Sequence, residues 1–275
     1  MKTVGVIAGN GRFPLLAAKE ALKEGYQVVV CGIEREADPA LEKLADAFRW
    51  VKIGELKKLV KFFRSHGVHE AFMAGKVQKV RLFQENVRPD FEMVKLVAKV
   101  RDFKDDSLLS AVGRYLHEQG IDLIDSTSFM KNALPGGGIL GRRKPSEEIM
   151  EDIRFGFQLA KSIAALDVGQ TVVVKKKAVL AVEAVEGTDE TIRRGGQLGG
   201  GKATVVKVAK SHQDMRFDVP TVGLGTLKAL ILSRAEAFAF EASKTLFIDQ
   251  EEFVKRADQK GIALVGLKEE ENASI

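Results

Sequence analysis

What most constrains this chain is an alternation, over residues 1–130, of short apolar runs with helical segments closed by glycine. T-V-G-V-I-A (3–8) is a buried-strand run. P-L-L-A-A-K-E-A-L-K-E-G (14–25) follows as a helix, with proline at its first position and Gly25 as its stop. Y-Q-V-V-V-C (26–31) is a second buried strand, and F-R-W-V-K-I (48–53) is a half-buried one of period two. A helix over 54–67, a strand over 69–75, helices over 91–100 and 107–120 and a strand over 121–125 continue the pattern. Such alternation implies a mostly parallel sheet covered on both faces.

The pattern breaks at L-P-G-G-G-I-L-G-R-R-K-P-S (134–146), which holds four of the 26 glycines and two of the six prolines. Beyond it, the sequence predicts an amphipathic helix over 147–164 and a β-hairpin of 171–175 with 178–187. A strand over 203–210, a helix near 226–234, apolar segments 237–241 and 245–249, a helix over 250–259 and a last strand over 262–266 complete the reading. The expected fold class is therefore α/β in two domains. A Rossmann-like parallel sheet occupies 1–133, a Gly/Pro linker 134–146, and an α/β domain with a mixed sheet 147–275.

Composition narrows the classes of function. The chain is 45% hydrophobic and 29% charged, which suits a core-forming protein rather than a disordered one. The net charge of +5 suits a phosphate-bearing ligand or an anionic membrane surface, and no nucleic-acid partner is expected. One cysteine, Cys31, excludes an internal disulfide and fits a reducing compartment; it reads as a small buried residue closing a strand. The N-terminus does not read as a signal peptide, and no apolar run approaches the ~20 residues of a membrane span. A cytoplasmic protein is expected. The basic amphipathic stretch 91–104 reads either as a solvated helix or as a peripheral contact with the inner face of the inner membrane.

G-N-G-R-F-P (9–14) follows the first strand and opens a helix, where an α/β fold presents backbone N–H groups to phosphate. Gly9, Asn10, Gly11 and Phe13 thus form a candidate ligand edge. Pro14 at the sixth position breaks the G-x-G-x-x-G spacing of a dinucleotide site. Lys76, in A-G-K-V after the fourth strand, is a phosphate candidate or a solvated lysine. In E-A-V-E-G-T-D-E-T-I-R-R-G-G (183–196), Thr188 or Asp189 is expected to cap a short helix that Gly195 and Gly196 stop. Glu183, Glu186 and Asp189 gather where a strand ends, an arrangement suited to Mg²⁺.

The four histidines show no zinc spacing, His66 and His117 fall at helix C-termini, and His212 alone sits among other functional groups. Those groups lie in A-K-S-H-Q-D-M-R-F-D-V-P-T-V-G (209–223). Lys210 and Arg216 offer charge to a diphosphate, and Asp218 is suited to orienting water or binding Mg²⁺. On an extended path Asp214 and Asp218 lie ~13 Å apart, too far to share one small ion.

D-V-G-Q-T-V-V-V (167–174), V-L-A-V-E-A-V-E-G-T-D (179–189), V-K-V-A-K-S-H-Q-D-M-R-F-D-V-P-T-V-G (206–223) and I-A-G-N-G-R-F-P (7–14) resemble the alternative UDP-2,3-diacylglucosamine pyrophosphatases of lipid A biosynthesis. The likeness extends to A-G-K-V, L-P-G-G-G-I-L-G and A-D-Q-K-G-I-A-L-V-G. It implies Mg²⁺-dependent hydrolysis of UDP-2,3-diacylglucosamine to 2,3-diacylglucosamine 1-phosphate and UMP, with water attacking the phosphorus on the sugar side. It also implies an essential aspartate in Q-D-x-R-x-D-x-P-T, which Asp218 matches, with Asp214 second.

The expected substrate-binding residues are Gly9, Asn10, Gly11, Phe13, Lys76, Thr188, Lys210, Gln213, Arg216 and Thr221; the expected metal ligands are Asp218, Asp189 and Glu186. Phe13, Phe238 and Phe240 are candidates for an acyl-chain groove or simply core. A homodimer is compatible with this reading. The segment E-T-I-R-R-G-G-Q-L-G-G-G departs from the family pattern by its extra glycines. The competing readings are a non-catalytic nucleotide- or lipid-binding protein of the same fold and an NAD-dependent oxidoreductase, which Pro14 weakens.

Overall fold

The computed structural model describes residues 2–77, 89–99, 105–210 and 213–269. The chain divides into two compact units, Met1–Lys131 with Asp214–Asp218, and Asn132–Gln213 with Val219–Ile275.

In the first unit, β1 (Thr3–Ala8), β2 (Gln27–Ile33), β3 (Ala47–Val51), β4 (Glu70–Ala74) and β5 (Asp122–Leu123) form one sheet in the order β3-β2-β1-β4-β5. Every pairing in it is parallel. Its central strands are apolar on both faces because helices cover both: Val4, Val6, Val28, Val29 and Val30 are buried. The helices are α1 (Phe13–Lys23), α2 (Ala40–Leu44), α3 (Leu56–Ser65), α4 (Phe91–Lys99) and α5 (Asp105–Glu118). α3 buries Leu56, Leu59, Val60 and Phe63, the i, i+3, i+4, i+7 stripe of an amphipathic helix. Cys31 is fully buried, as expected from its place in β2, and burial pushes its thiol up to about 12. His66 caps the C-terminus of α3 and His117 lies in the last turn of α5. Residues 100–104 of the basic stretch lie outside the described residues.

In the second unit, β6 (Gly138–Ile139), β7 (Thr171–Lys175), β8 (Ala178–Val182), β9 (Thr204–Lys207), β11 (Ala237–Glu241) and β13 (Ala263–Leu267) form a mixed sheet in the order β6-β13-β11-β9-β7-β8. The neighbouring strands β9, β11 and β13 run parallel, and β6, β7 and β8 join antiparallel. β10 (Thr221–Val222) and β12 (Leu246–Phe247) make a separate parallel pair. The helices are α6 (Glu147–Ala165), α7 (Thr188–Leu198), α8 (Leu224–Leu232) and α9 (Gln250–Gln259). Ser146 caps α6 by accepting from the Ile149 N–H, and Glu147 and Glu148 suit its positive end.

Four expectations change or resolve here. The Gly/Pro-rich stretch 134–146 carries β6, which pairs with β13 and extends the sheet, so part of the anticipated linker is an edge strand. α7 is capped at Gly187, with no side-chain cap from Thr188 or Asp189, which are its first helical residues. Gly195 and Gly196 do not stop α7 but lie inside it. A Cβ at Gly195 would fall 2.6 Å from Val173, and one at Gly196 would collide with Ser233, so the glycines allow α7 to close on β7 and α8. Phe238 and Phe240 are fully buried in an aromatic cluster with Phe247 and Phe253 and belong to the core, not to an acyl groove.

Candidate functional site

The candidate residues of the first unit begin at the exit of β1. Sheet order places β1 beside β4 where the connections turn in opposite directions, the position at which open α/β sheets bind ligands. Gly9 and Asn10 leave β1 there and Lys76 leaves β4. The Gly9 N–H donates to the Ala74 carbonyl at 2.8 Å. Asn10 and Lys76 exchange backbone hydrogen bonds of 2.7 and 3.0 Å. The two exits therefore lock together, which only glycine permits: a Cβ at Gly9 would meet the Lys76 carbonyl at 2.6 Å, and Gly75, at φ +86°, faces the Asn10 carbonyl as closely. The backbone donors of Gly9 and Asn10 are thereby spent on β4 rather than offered to a phosphate. The Lys76 side chain and Gly11 (φ +100°) are exposed, whereas Phe13 is buried at the start of α1.

The same unit holds Asp214–Asp218. The anticipated extended path is not what forms. The Phe217 and Asp218 N–H groups both donate to the Asp214 carbonyl, at 3.0 and 3.1 Å, so the segment folds back into a single turn. Two features drive the return. Arg216 grips the Asp214 carboxylate through Nε and Nη2, at 3.0 and 2.7 Å, and this guanidinium holds the Asp214 carboxyl below the usual carboxylate range. Ser126, itself buried, then seats the turn: its N–H donates to the Met215 carbonyl at 3.1 Å and its hydroxyl to that of Arg216 at 2.9 Å. Phe217 packs over Gly113. Asp218 ends the turn exposed to solvent. Arg216, expected as a diphosphate clamp, is bound to Asp214.

In the second unit, the ends of β8, β9 and β11 and the start of β7 share one sheet edge. Lys207, the last residue of β9, is buried and donates to the Thr188 hydroxyl at 2.7 Å; Thr188 donates onward to Glu183 at 2.8 Å. Gln170 donates through its amide to Gln213 Oε1 at 2.8 Å, and the same oxygen accepts from the Lys210 N–H at 3.0 Å. Lys210 Nζ pairs with Asp167 at 2.5 Å. The edge brings together Thr188, Lys210 and Gln213, with Lys207 and Gln170 beside them. Lys207 read only as a strand residue, because its contact with Thr188 is set by packing and not by any local pattern. Thr221 turns its hydroxyl to the Val219 carbonyl at 2.8 Å.

The acids expected to hold metal are distributed differently. Glu186 accepts from Arg194 at 2.5 Å, from the Ala184 N–H at 3.1 Å and from Thr191 at 3.3 Å, and its carboxyl is held low by its own and the Ala184 backbone N–H and by Arg194. Glu183 serves Thr188 and the Gln170 N–H. Asp189, in the first turn of α7, lies 3.3 Å from where a Cβ of Gly225 would stand. Among the described residues no three His, Cys, Asp or Glu side chains cluster closely enough to hold an ion by themselves. His212 lies outside the described residues. No helix among the described residues is long and apolar enough to cross a membrane.

A parallel five-stranded α/β unit followed by a mixed six-stranded one, with lysines, threonine and amides at the second sheet's edge, defines a two-part α/β protein with a polar, lysine-bearing sheet edge in its second unit. The family follows from comparison. Residues 3–133 match the LpxI N-terminal domain and residues 136–265 the LpxI C-terminal domain. UDP-2,3-diacylglucosamine pyrophosphatase LpxI of Caulobacter vibrioides is 31% identical over 98% of this chain and 99% of its own length. The chain belongs to the LpxI family. Distant likenesses include the ADP-bound biotin carboxylase domain of a thermophilic 2-oxoglutarate carboxylase (14% identity, TM-score 0.27, 63% of this chain and 35% of that one). Phosphoribosylglycinamide synthetase from Anaerococcus prevotii is similar at 14% identity and TM-score 0.27, over 70% of this chain and 42% of that one. The chain spans well under half of either protein, and neither likeness carries weight for function.

Proposed function

We propose that this protein hydrolyses the diphosphate of UDP-2,3-diacylglucosamine to 2,3-diacylglucosamine 1-phosphate and UMP, a step of lipid A biosynthesis. The observation that carries the reading is the near full-length identity to a UDP-2,3-diacylglucosamine pyrophosphatase. In the reaction one water adds to phosphorus, the P–O–P bridge breaks, UMP departs as the leaving group, and the water proton is released. Phosphoryl transfer of this kind needs charge neutralisation and an in-line water more than covalent chemistry.

The chain's own residues suit those tasks. Lys207 and Lys210 supply positive charge to the diphosphate, Thr188 holds the Lys207 ammonium that donates to it, and Gln213 orients the backbone from which Lys210 projects. Asp218 is the carboxylate that positions the attacking water. Asp214, neutralised by Arg216, holds the turn that presents Asp218, which gives the two aspartates separate tasks. Mg²⁺ is the proposed cofactor: it binds through one or two carboxylates completed by water and substrate phosphates, so it needs no cluster of three acids. Asp218 in the first unit and Asp189 in the second are each candidate carboxylates for it, and it would neutralise charge developing on the phosphate oxygens. Glu186 is left out because Arg194 and backbone N–H groups already take its oxygens.

The test is incubation of the protein with UDP-2,3-diacylglucosamine, with and without Mg²⁺, followed by mass analysis. UMP and the monophosphate lipid are expected only with the metal. Saturable binding without cleavage under any divalent ion would replace this reading with that of a binding protein.

A further inference from the structure

Ala209 stands two residues past the end of β9, is fully buried, and is one residue before Lys210. Its backbone N–H and carbonyl have left the ladder and are shut off from water, so each needs a partner. One ion pair satisfies both. Glu241, the last residue of β11 and 1% exposed, accepts from the Ala209 N–H through Oε2 at 2.8 Å. Lys161 of α6 donates to the Ala209 carbonyl at 3.2 Å and to both Glu241 oxygens at 3.3 Å. Lys244 closes on Glu241 Oε1 at 2.6 Å, and Glu269 lies 3.4 Å from Lys161. The peptide at Ala209 is thus gripped on both sides by two side chains from elements far away in sequence.

We propose that Lys161 and Glu241 are positioning residues that fix the strand exit at Ala209, and through it Lys210 and Gln213, for the hydrolysis assigned above. The proposal rests on that assignment for its kinetic readout only. Replacing a whole buried ion pair by apolar groups of similar volume is often neutral, so the pair as a unit is a poor source of stability, whereas removing one member leaves the other buried and uncompensated. Here the geometry gives the pair a directional task. Orientation is where small errors cost most: a shift of roughly 1 Å in a reacting group can lower rate by about 100-fold.

The test uses Lys161→Met and Glu241→Gln, with Lys161→Arg as the conservative control. Thermal midpoint, kcat and KM on UDP-2,3-diacylglucosamine, and amide hydrogen exchange over residues 205–213 are measured for each. The expected result for Lys161→Met is a kcat lowered by about tenfold or more, a KM changed much less, a lowered midpoint because Glu241 keeps only Lys244 as a cation, and exchange accelerated most over the 205–213 segment. Lys161→Arg, which still reaches both acceptors, is expected to restore the rate. Unchanged kcat with unchanged exchange overturns the proposal. Exchange accelerated evenly across the chain, with no excess over residues 205–213, also overturns it, because the pair is then only structural. Should Lys161→Met not fold, Glu241→Gln, which keeps an acceptor for the Ala209 N–H, decides the same question. Exchange needs no substrate, so a failure of the assigned reaction is distinguishable from a failure of this proposal.

Discussion

The N–H of Asp218 donates to the carbonyl of Asp214 at 3.1 Å, so two aspartates that a straight chain would hold far apart close a single turn. The turn divides their work. Asp214 spends its carboxylate on Arg216, and Asp218 ends exposed.

From that division, Asp218→Ala is expected to reduce hydrolysis by at least about 100-fold, the usual loss when a group that handles a water proton is removed. Binding of the nucleotide lipid should survive, because the lysines and Thr188 of the second unit remain. Product formation by mass analysis and binding by calorimetry check the pair of outcomes. Near-normal turnover in this variant would take Asp218 out of the mechanism.

Asp214→Asn tests the other half. The native carboxyl titrates below its unfolded value, so its stabilising effect is complete above the unfolded pKa of about 3.9 and vanishes as pH falls through the lowered native value. The difference in thermal midpoint between native protein and variant should therefore be constant near neutrality and shrink below about pH 4. Both partners are partly exposed, so the difference is expected to stay under about 1 kcal/mol. A gap that persisted at low pH would contradict the Asp214–Arg216 account.

Removal of divalent ions with a chelator is expected to stop turnover, and Mg²⁺ to restore it. A metal that neutralises phosphate oxygens contributes several kcal/mol to the transition state, so the loss should reach about 100-fold or more. Undiminished turnover in chelator would exclude Mg²⁺ as the cofactor.

Gly196→Ala should destabilise the fold by about 1–3 kcal/mol, as overfilling of a packed site does, because its new Cβ collides with Ser233. Combining it with Ser233→Gly opens that space and should recover part of the loss in thermal unfolding. A variant as stable as the starting protein would show that α7 and α8 can separate freely.

Cys31 should resist thiol reagents in the folded protein, since burial keeps its thiol protonated up to about pH 12. Labelling at neutral pH that required no denaturant would show that β2 opens.

Much of the architecture was legible in the sequence because its signals are local. Pro14 near the start of α1, the 3.6-residue stripe of α3 and the cap at Ser146 each act within a few residues. α2 and β10 were missed: α2 is five residues long and β10 two, too short for a periodic pattern to register. The edge strand β6 hid in glycine and proline composition, since only pairing with β13 identifies it. The site was legible in residue type but not in arrangement. Nothing near Arg216 announces Ser126, 90 residues away in sequence, as the seat of the turn. Nothing in A-T-V-V-K marks Lys207 as the partner of Thr188, because that contact depends on how β9 sits against α7.

α7 carries a wider consequence. A helix with two glycines in its interior gives up about 1 kcal/mol at each relative to alanine, so residues 188–198 released from the protein would not hold a helical shape. The helix persists because Val173 and Ser233 receive those bare positions. Thr188 at its first turn is consequently in place only when the second unit is assembled, so a chain still folding would not yet present this part of its site.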